Sequence, residues 1–370
     1  MTVNLESVPE QCEAKRLLRA ALAEGPAHAY LFHGPPGVGK KRAALAFAAE
    51  LLGDPARVER GAHPDLYLLE PLGDQIRIDD IRLLHHDLHM RPYEADRRVY
   101  LVVSAQLMNA DAADALLKDL EEPPEYAVIV LLADDVGPLP ETIRSRCQHV
   151  PFTRLSERAV REAITGRAPG LSAEEATAFA RVSGGRLDRA ERLLDPLAAK
   201  RRSNLLAAAR AVYLDSEFDP ADAAALVLEG MRECGEAAKA RAEDELEGLE
   251  LPAREAEQRV RRAHRGSERE ELLLSLEELA AWYRDLVVAA AGAERAVVHY
   301  DRLDDLREDA AADRVPGAET AAELAREAWR NMEEFNVQPC LALEALFIQL
   351  RHALAGTALA TGYTGRAAPT

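Results

Sequence analysis

The sequence predicts an α/β domain built on a parallel sheet, followed by a small helical lid and an all-α C-terminal domain. Three observations carry that expectation. Five apolar runs in the first 153 residues, Ala29 to His33, Leu66 to Leu69, Val99 to Val103, Tyr126 to Ala133 and His149 to Phe152, are separated by helical patterns. Such alternation specifies parallel strands with helices on both faces. A glycine loop, GPPGVGKK from Gly34 to Lys41, joins the first run to an alanine-rich helical stretch, and strand signals vanish after residue 197. The expected boundaries are 1–153 for the sheet domain, 154–197 for the lid, 198–356 for the helical domain and 357–370 for a small-residue tail expected to be disordered.

The loop forms the pattern of a phosphate cradle. Gly34, Pro35, Gly37, Gly39 and Lys40 are the candidate phosphate-binding residues. The glycines let backbone N–H groups turn inward, the following helix N-terminus adds positive potential, and a lysine at Lys40 can reach outer phosphates. Lys41, however, stands where the motif needs a Ser or Thr hydroxyl to hold Mg²⁺. Hydrolysis also needs a carboxylate at the tip of a second strand. The run Val99 to Val103 continues into Ser104, Ala105 and Gln106; Asp96 precedes it and Asp111 falls in the next helix. With both metal-handling positions missing, the site is expected to be catalytically idle, supporting at most weak ATP or ADP binding and requiring no cofactor.

Helix signals fill the intervals. Asp79 is expected to cap a helix carrying Ile81, Leu84 and Leu88, and Asn109 to cap Ala112 to Leu120 before Glu121, Glu122, Pro123 and Pro124. His85, His86 and His89 invite a metal reading because positions four apart share a helical face. Sequence spacing supplies no third ligand, so they are read as a solvated face, with no metal expected. In PETIRSRCQ, Pro140 to Gln148, Arg144 and Arg146 sit just before the last strand. On spacing alone they are either solvated surface arginines or, for Arg146, an arginine finger for a neighbouring subunit's phosphoryl chemistry.

In the lid, Ser172 and Glu175 make a capping box, Gly184 and Gly185 end that helix, and another runs from near Leu187 to Pro196. Farther on, Leu205 to Met231 is helical in composition. An acidic stretch, Glu243 to Glu250, precedes Arg254, Arg259, Arg261, Arg262, Arg265 and Arg269, a pattern of two solvated helical arms that can pair. Leu272, Leu276, Leu279, Tyr283 and Leu286 recur at steps of three and four, as do Leu343, Leu346, Leu350 and Leu354. Trp282, Trp329, Phe335 and Phe347 are expected in the core.

Composition narrows the classes. With 370 residues, 48 % hydrophobic and 30 % charged, the chain can bury substantial cores in two or three domains. A net charge of −18 argues against a surface that binds nucleic acid broadly. No signal-peptide layout opens the sequence and no apolar run approaches the roughly 20 residues needed to span a bilayer, so a cytoplasmic protein without membrane contact is expected. Cys12, Cys147, Cys234 and Cys340 are scattered, with no disulfide framework or CxxC metal site.

GPPGVGK, RIDDIRLL, NADAADALLKDLEEPPEYAVIVLLADD and LPETIRSRCQ, in this order and spacing, resemble the clamp-loader group of AAA+ proteins, and within it the delta-prime type. WYRDLVV at Trp282 to Val288 and NVQPCLALEALFIQL at Asn336 to Leu350 extend the resemblance to nearly the whole chain. The resemblance implies an AAA+ P-loop domain, a lid and a collar through which ring subunits assemble. It implies that the SRC motif, Ser145, Arg146 and Cys147, places an arginine finger at Arg146, and that a basic residue in GGRLDRA, Arg189 being nearest, senses nucleotide. Members of this type commonly have an impaired nucleotide site. The implied partners are motor and delta-type clamp-loader subunits and, through the assembled complex, the sliding clamp and primed DNA. Members usually carry a four-cysteine zinc module before HPDL. Here His63, Pro64, Asp65 and Leu66 are kept but Leu51 to Ala62 holds no cysteine, so zinc is not expected.

Overall fold

The computed structural model describes residues 4–71, 75–246, 253–335 and 337–355, with side chains at all of these except 245, 253–255 and 333–335. It divides into two units, Met1–Glu191 and Arg192–Thr370. The expected tail at 357–370, the core placement of Phe335 and the end of the acidic stretch lie outside the described residues or side chains.

In the first unit, β1 (Ala29–His33), β2 (Leu66–Leu69), β3 (Arg98–Val102), β4 (Ala127–Ala133) and β5 (Gln148–Pro151) form one sheet in the order β2-β3-β4-β1-β5. Every pairing is parallel. Each expected strand is present, with edges moved by a residue at most. The strands are apolar on both faces because helices cover both. On one side α1 (Cys12–Glu24), α2 (Lys40–Leu52) and α3 (Pro55–Glu59) pack through Leu18, Ala44, Phe47 and Val58 against Tyr30, Phe32, Val128 and Val130. On the other, α4 (Ile78–Leu88) and α5 (Ala110–Glu121) bury Ile81, Leu84, Leu88 and Leu116 against Tyr100, Val102, Ile129 and Leu131. This is the parallel α/β architecture that the sequence predicted.

Local chemistry explains most element ends. Asn109 Oδ1 accepts from the Ala112 amide at 2.9 Å and caps α5 as expected. The start of α4 corrects the reading of Asp79. The helix begins at Ile78 with Arg77 as its N-cap, two residues before Asp79, and it is Asp80 that folds back to accept the Arg77 amide at 3.0 Å, while Asp79 pairs with Arg82 on the surface. The HPDL segment has a structural use. Asp65 is fully buried and accepts from the amides of Tyr93, Glu94 and Ala95 at 2.7–2.9 Å, fixing the chain as it enters β3. Although burial pushes its carboxyl up, those three donors hold it below the ordinary range.

A single helical turn, α6 (Glu141–Arg144), precedes β5, and α7 (Glu157–Arg167), α8 (Ala173–Val182) and α9 (Leu187–Leu193) follow it. Ser172 and Glu175 form the expected reciprocal cap of α8. Gly184 and Gly185 follow its last turn in the left-handed region, at φ 58° and 82°.

The described residues of the second unit form helices and no strand: α10 (Pro196–Leu214), α11 (Pro220–Leu246), α12 (Ala253–Ala290), α13 (Leu303–Asp309), α14 (Val315–Phe335) and α15 (Pro339–Leu354), with short 3₁₀ turns and loops between. Leu272, Leu276, Leu279, Tyr283 and Leu286 of α12 are buried together with Leu343, Leu346 and Leu350 of α15, as their periodicity predicts, with Leu354 partly buried against them and Phe347 in the core. Trp282 is fully buried, and Trp329 packs partly buried beneath the Arg269 guanidinium at 4.7 Å. Gly230 lies against Glu271 and Gly235 against His264 and Glu268, so α11 and α12 run antiparallel. A cross-helix polar contact joins His264 Nε2 to Glu236 at 3.3 Å. The unit also buries a charged hub. His299 bridges Asp285 at 2.8 Å and Glu278 at 2.9 Å, and Glu278 continues to Arg202 at 3.0 Å. No described helix is long and apolar enough to cross a membrane.

Candidate functional site

The glycine loop lies at the carboxyl end of β1, between β4 and β5, where a parallel sheet offers its ligand crevice. Its glycines are sterically required. Gly34 (φ 141°) passes so close to β5 that a Cβ would overlap the Phe152 carbonyl, and Gly37 (φ 68°) faces the lid so closely that a Cβ would overlap Asp188 Oδ1. A 2.8 Å bond from the Leu187 amide to the Gly37 carbonyl joins lid to loop. Gly39 (φ 95°) caps α2, and Lys40 is its first residue.

Lys40 is turned back into the loop. Its ammonium donates to the carbonyls of Gly34 at 2.5 Å and Pro35 at 2.6 Å and pairs with Asp134 Oδ1 at 2.7 Å; its side chain is 8 % exposed. Burial lowers its proton affinity, and Asp134 offsets part of that loss. Asp188 is the second carboxylate at the cradle. Burial pushes its carboxyl up, but Arg186, 2.9 Å away, holds it below the ordinary range and ionised. Two carboxylates thus occupy the neighbourhood of the cation that a phosphate would use.

The metal-handling positions have other partners. Lys41 pairs with Glu70, which follows β2, so a lysine–glutamate ion pair takes the place of a hydroxyl ligand. β3 ends at Val102, Val103 follows it, and Ser104 adopts a left-handed conformation at φ 54°. Asp96 lies before β3 and Asp111 in the first turn of α5, as expected.

Arg146 lies far along the chain from the loop, after α6, with an exposed side chain. Its guanidinium donates to the Thr142 carbonyl at 3.0 Å and pairs with Glu121 at 2.6 Å. Ser145 is exposed and bonds the same carbonyl at 3.1 Å. Cys147 is buried, and burial pushes its thiol up to about 12, so it packs rather than reacts. Arg144 is half-buried; its carbonyl contacts His149 Nε2 at 3.0 Å. Arg189 is half-buried in α9 directly after Asp188.

The structure brings Gly34, Pro35, Gly37, Gly39 and Lys40 together and sets Arg146 apart on the surface. It adds Asp134, Asp188 and Glu70, which sequence reasoning missed. Asp134 had a readable signal: it directly follows β4, the neighbour of β1, at the strand end that faces the crevice. Asp188 had none, because only the folded lid brings it to Gly37.

Residues 10–156 match the family model described as DNA polymerase III, delta subunit. The DNA polymerase III subunit delta' of Bacillus subtilis is 36 % identical over 149 residues, covering 37 % of this chain and 45 % of the relative. That of Pseudomonas aeruginosa is 35 % identical over 182 residues, covering 45 % and 56 %. The B. subtilis DNA polymerase III subunit tau is 31 % identical over 159 residues, covering 40 % of this chain and 28 % of the relative. The chain spans about half the length of the delta' relatives it matches. The family match ends at residue 156, before the lid and the helical unit. Through its α/β domain, this chain resembles the delta-prime subunit of bacterial DNA polymerase III.

Proposed function

We propose that this chain is a delta-prime-type subunit of a replicative clamp loader, one that does not hydrolyse ATP itself and donates Arg146 in trans to the ATP site of a neighbouring motor subunit. The helical unit would fix its place among motor and delta-type subunits. ATP bound at the completed site would drive loading of the sliding clamp onto primed DNA, in the cytoplasm, with no cofactor required by this chain. The observation that carries the reading is the contrast between two cations. Lys40 is buried on Asp134 and the loop's own carbonyls, whereas the exposed Arg146 guanidinium is held, among the described residues, by the Thr142 carbonyl and the half-exposed Glu121. An exposed pair of that kind contributes about 0–1 kcal/mol, so Arg146 can exchange Glu121 for a phosphate at little cost. Arg189, beside Asp188 at the cradle, is the proposed nucleotide-sensing position of the lid.

Similarity to the tau subunit favours a second reading, an active gamma/tau-type ATPase. A turnover assay on the purified chain with labelled ATP, with and without Mg²⁺, separates the two. The proposal predicts no Mg²⁺-dependent hydrolysis, and turnover by the isolated chain would overturn it. A third reading, a nucleotide-free AAA+-derived interaction protein of another pathway, predicts that clamp-loader subunits fail to co-purify with it.

A further inference from the structure

The histidines of α4 and a buried carboxylate of α5 converge where the two helices pack. His85 and His89 lie four residues apart, on one side of α4 and just past its last residue, with their rings 4.6 Å apart edge to face. Asp119, near the end of α5, reaches the same point, its Oδ1 2.6 Å from His85 Nδ1. One ligand atom from each of the three lies within 4.8 Å of the others. Sequence spacing alone supplied two imidazoles and no third donor; the packing of α4 on α5 supplies it.

Two features distinguish this cluster from a solvated histidine face. Asp119 is 2 % exposed, and its Oδ2 is buried with no hydrogen-bond partner among the described residues. A carboxylate is seldom taken out of water with one oxygen unsatisfied, and a cation at the cluster would remove that penalty. The cluster also stands apart from the glycine loop. Arg98, the first residue of β3, contacts the Asp87 and Met90 carbonyls beside His89, so the histidines lie at the amino ends of the strands, opposite the crevice.

We infer that His85, His89 and Asp119 form a divalent-metal site that clasps α4 to α5, taking zinc or a similar first-row cation with water in the fourth position. Two imidazoles and a carboxylate are donors such ions accept, and the exposure of both histidines leaves the remaining position to solvent. With metal–ligand bonds of about 2.0–2.2 Å, tetrahedral geometry sets donors about 3.3 Å apart. His85 Nδ1 and Asp119 Oδ1 must therefore part by several tenths of an ångström, which the half-exposed His85 ring can supply.

The test is a zinc titration of the untagged full chain by calorimetry, in a Cys12→Ser, Cys340→Ser background that removes the two exposed thiols. One zinc per chain is expected, with a rise in melting temperature that a chelator reverses. His85→Ala and His89→Ala, at exposed positions where folding survives, should each weaken binding by about tenfold or more and remove the thermal shift. Asp119→Asn should do the same. No stoichiometric binding, or binding that persists unchanged in both histidine variants, overturns the site.

Discussion

Asp134→Asn tests whether the glycine loop is closed by its own acid. The variant keeps the side chain's shape and removes the charge that Lys40 faces at 2.7 Å. At that distance Coulomb attraction is worth about 1.5 kcal/mol at the dielectric constant of water and about 6 kcal/mol at an effective value of 20. Lys40 is buried but the Asp134 side chain is 43 % exposed, which places the pair toward the lower figure, about 1.5–2 kcal/mol. An incoming phosphate must displace that interaction, so its removal should tighten binding of a fluorescent ATP analogue by about 10- to 30-fold. The gain should vanish in Asp134→Asn with Lys40→Ala. No turnover should accompany it, because neither Lys41 nor Val103 offers a metal ligand. Equal affinity in wild type and Asp134→Asn would refute the view that Asp134 holds the lysine back.

Two further perturbations follow from the same geometry. Gly37→Ala should destabilise the α/β unit by about 1–3 kcal/mol in urea unfolding, because a Cβ meets Asp188 at φ 68°; adding Asp188→Ala should recover part of the loss. In the helical unit, burial pushes His299 down, yet Asp285 and Glu278 outweigh it and raise its affinity for a proton. Its contribution to stability is therefore complete below about pH 6.5, the unfolded value, and is lost as pH rises through the higher folded value. His299→Gln should flatten that part of the melting-temperature profile, and an unchanged slope would show that another group sets it.

The sheet was legible because strands buried on both faces leave continuous apolar runs, as Val128 to Leu132 does, and because GPPGVGK marks one strand-to-helix junction. Periodicity located the buried face of α12 for the same reason: Leu272 to Leu286 repeat at helical spacing. Cap chemistry was less secure. At Asp79, Asp80 and Arg77, neighbouring polar residues compete for one role, and only the backbone shows that Asp80 reaches back. Electrostatic partners were the least legible. Lys40 meets Asp134 across the sheet and lies near Asp188 from the lid, while His85 meets Asp119 across two helices. Such pairings depend on packing at large sequence separation, which leaves no periodic trace.

Arg146→Ala in a complex reconstituted with motor and delta-type subunits addresses the central claim most directly. The Arg146 guanidinium bonds the Thr142 carbonyl and pairs with Glu121 at the surface, so the substitution should leave folding and assembly intact. A finger is worth about 10³–10⁵ at the site it serves, so DNA-dependent ATP turnover and clamp loading should fall by about tenfold or more. Wild-type turnover in a complex that assembles normally with Arg146→Ala would contradict the account.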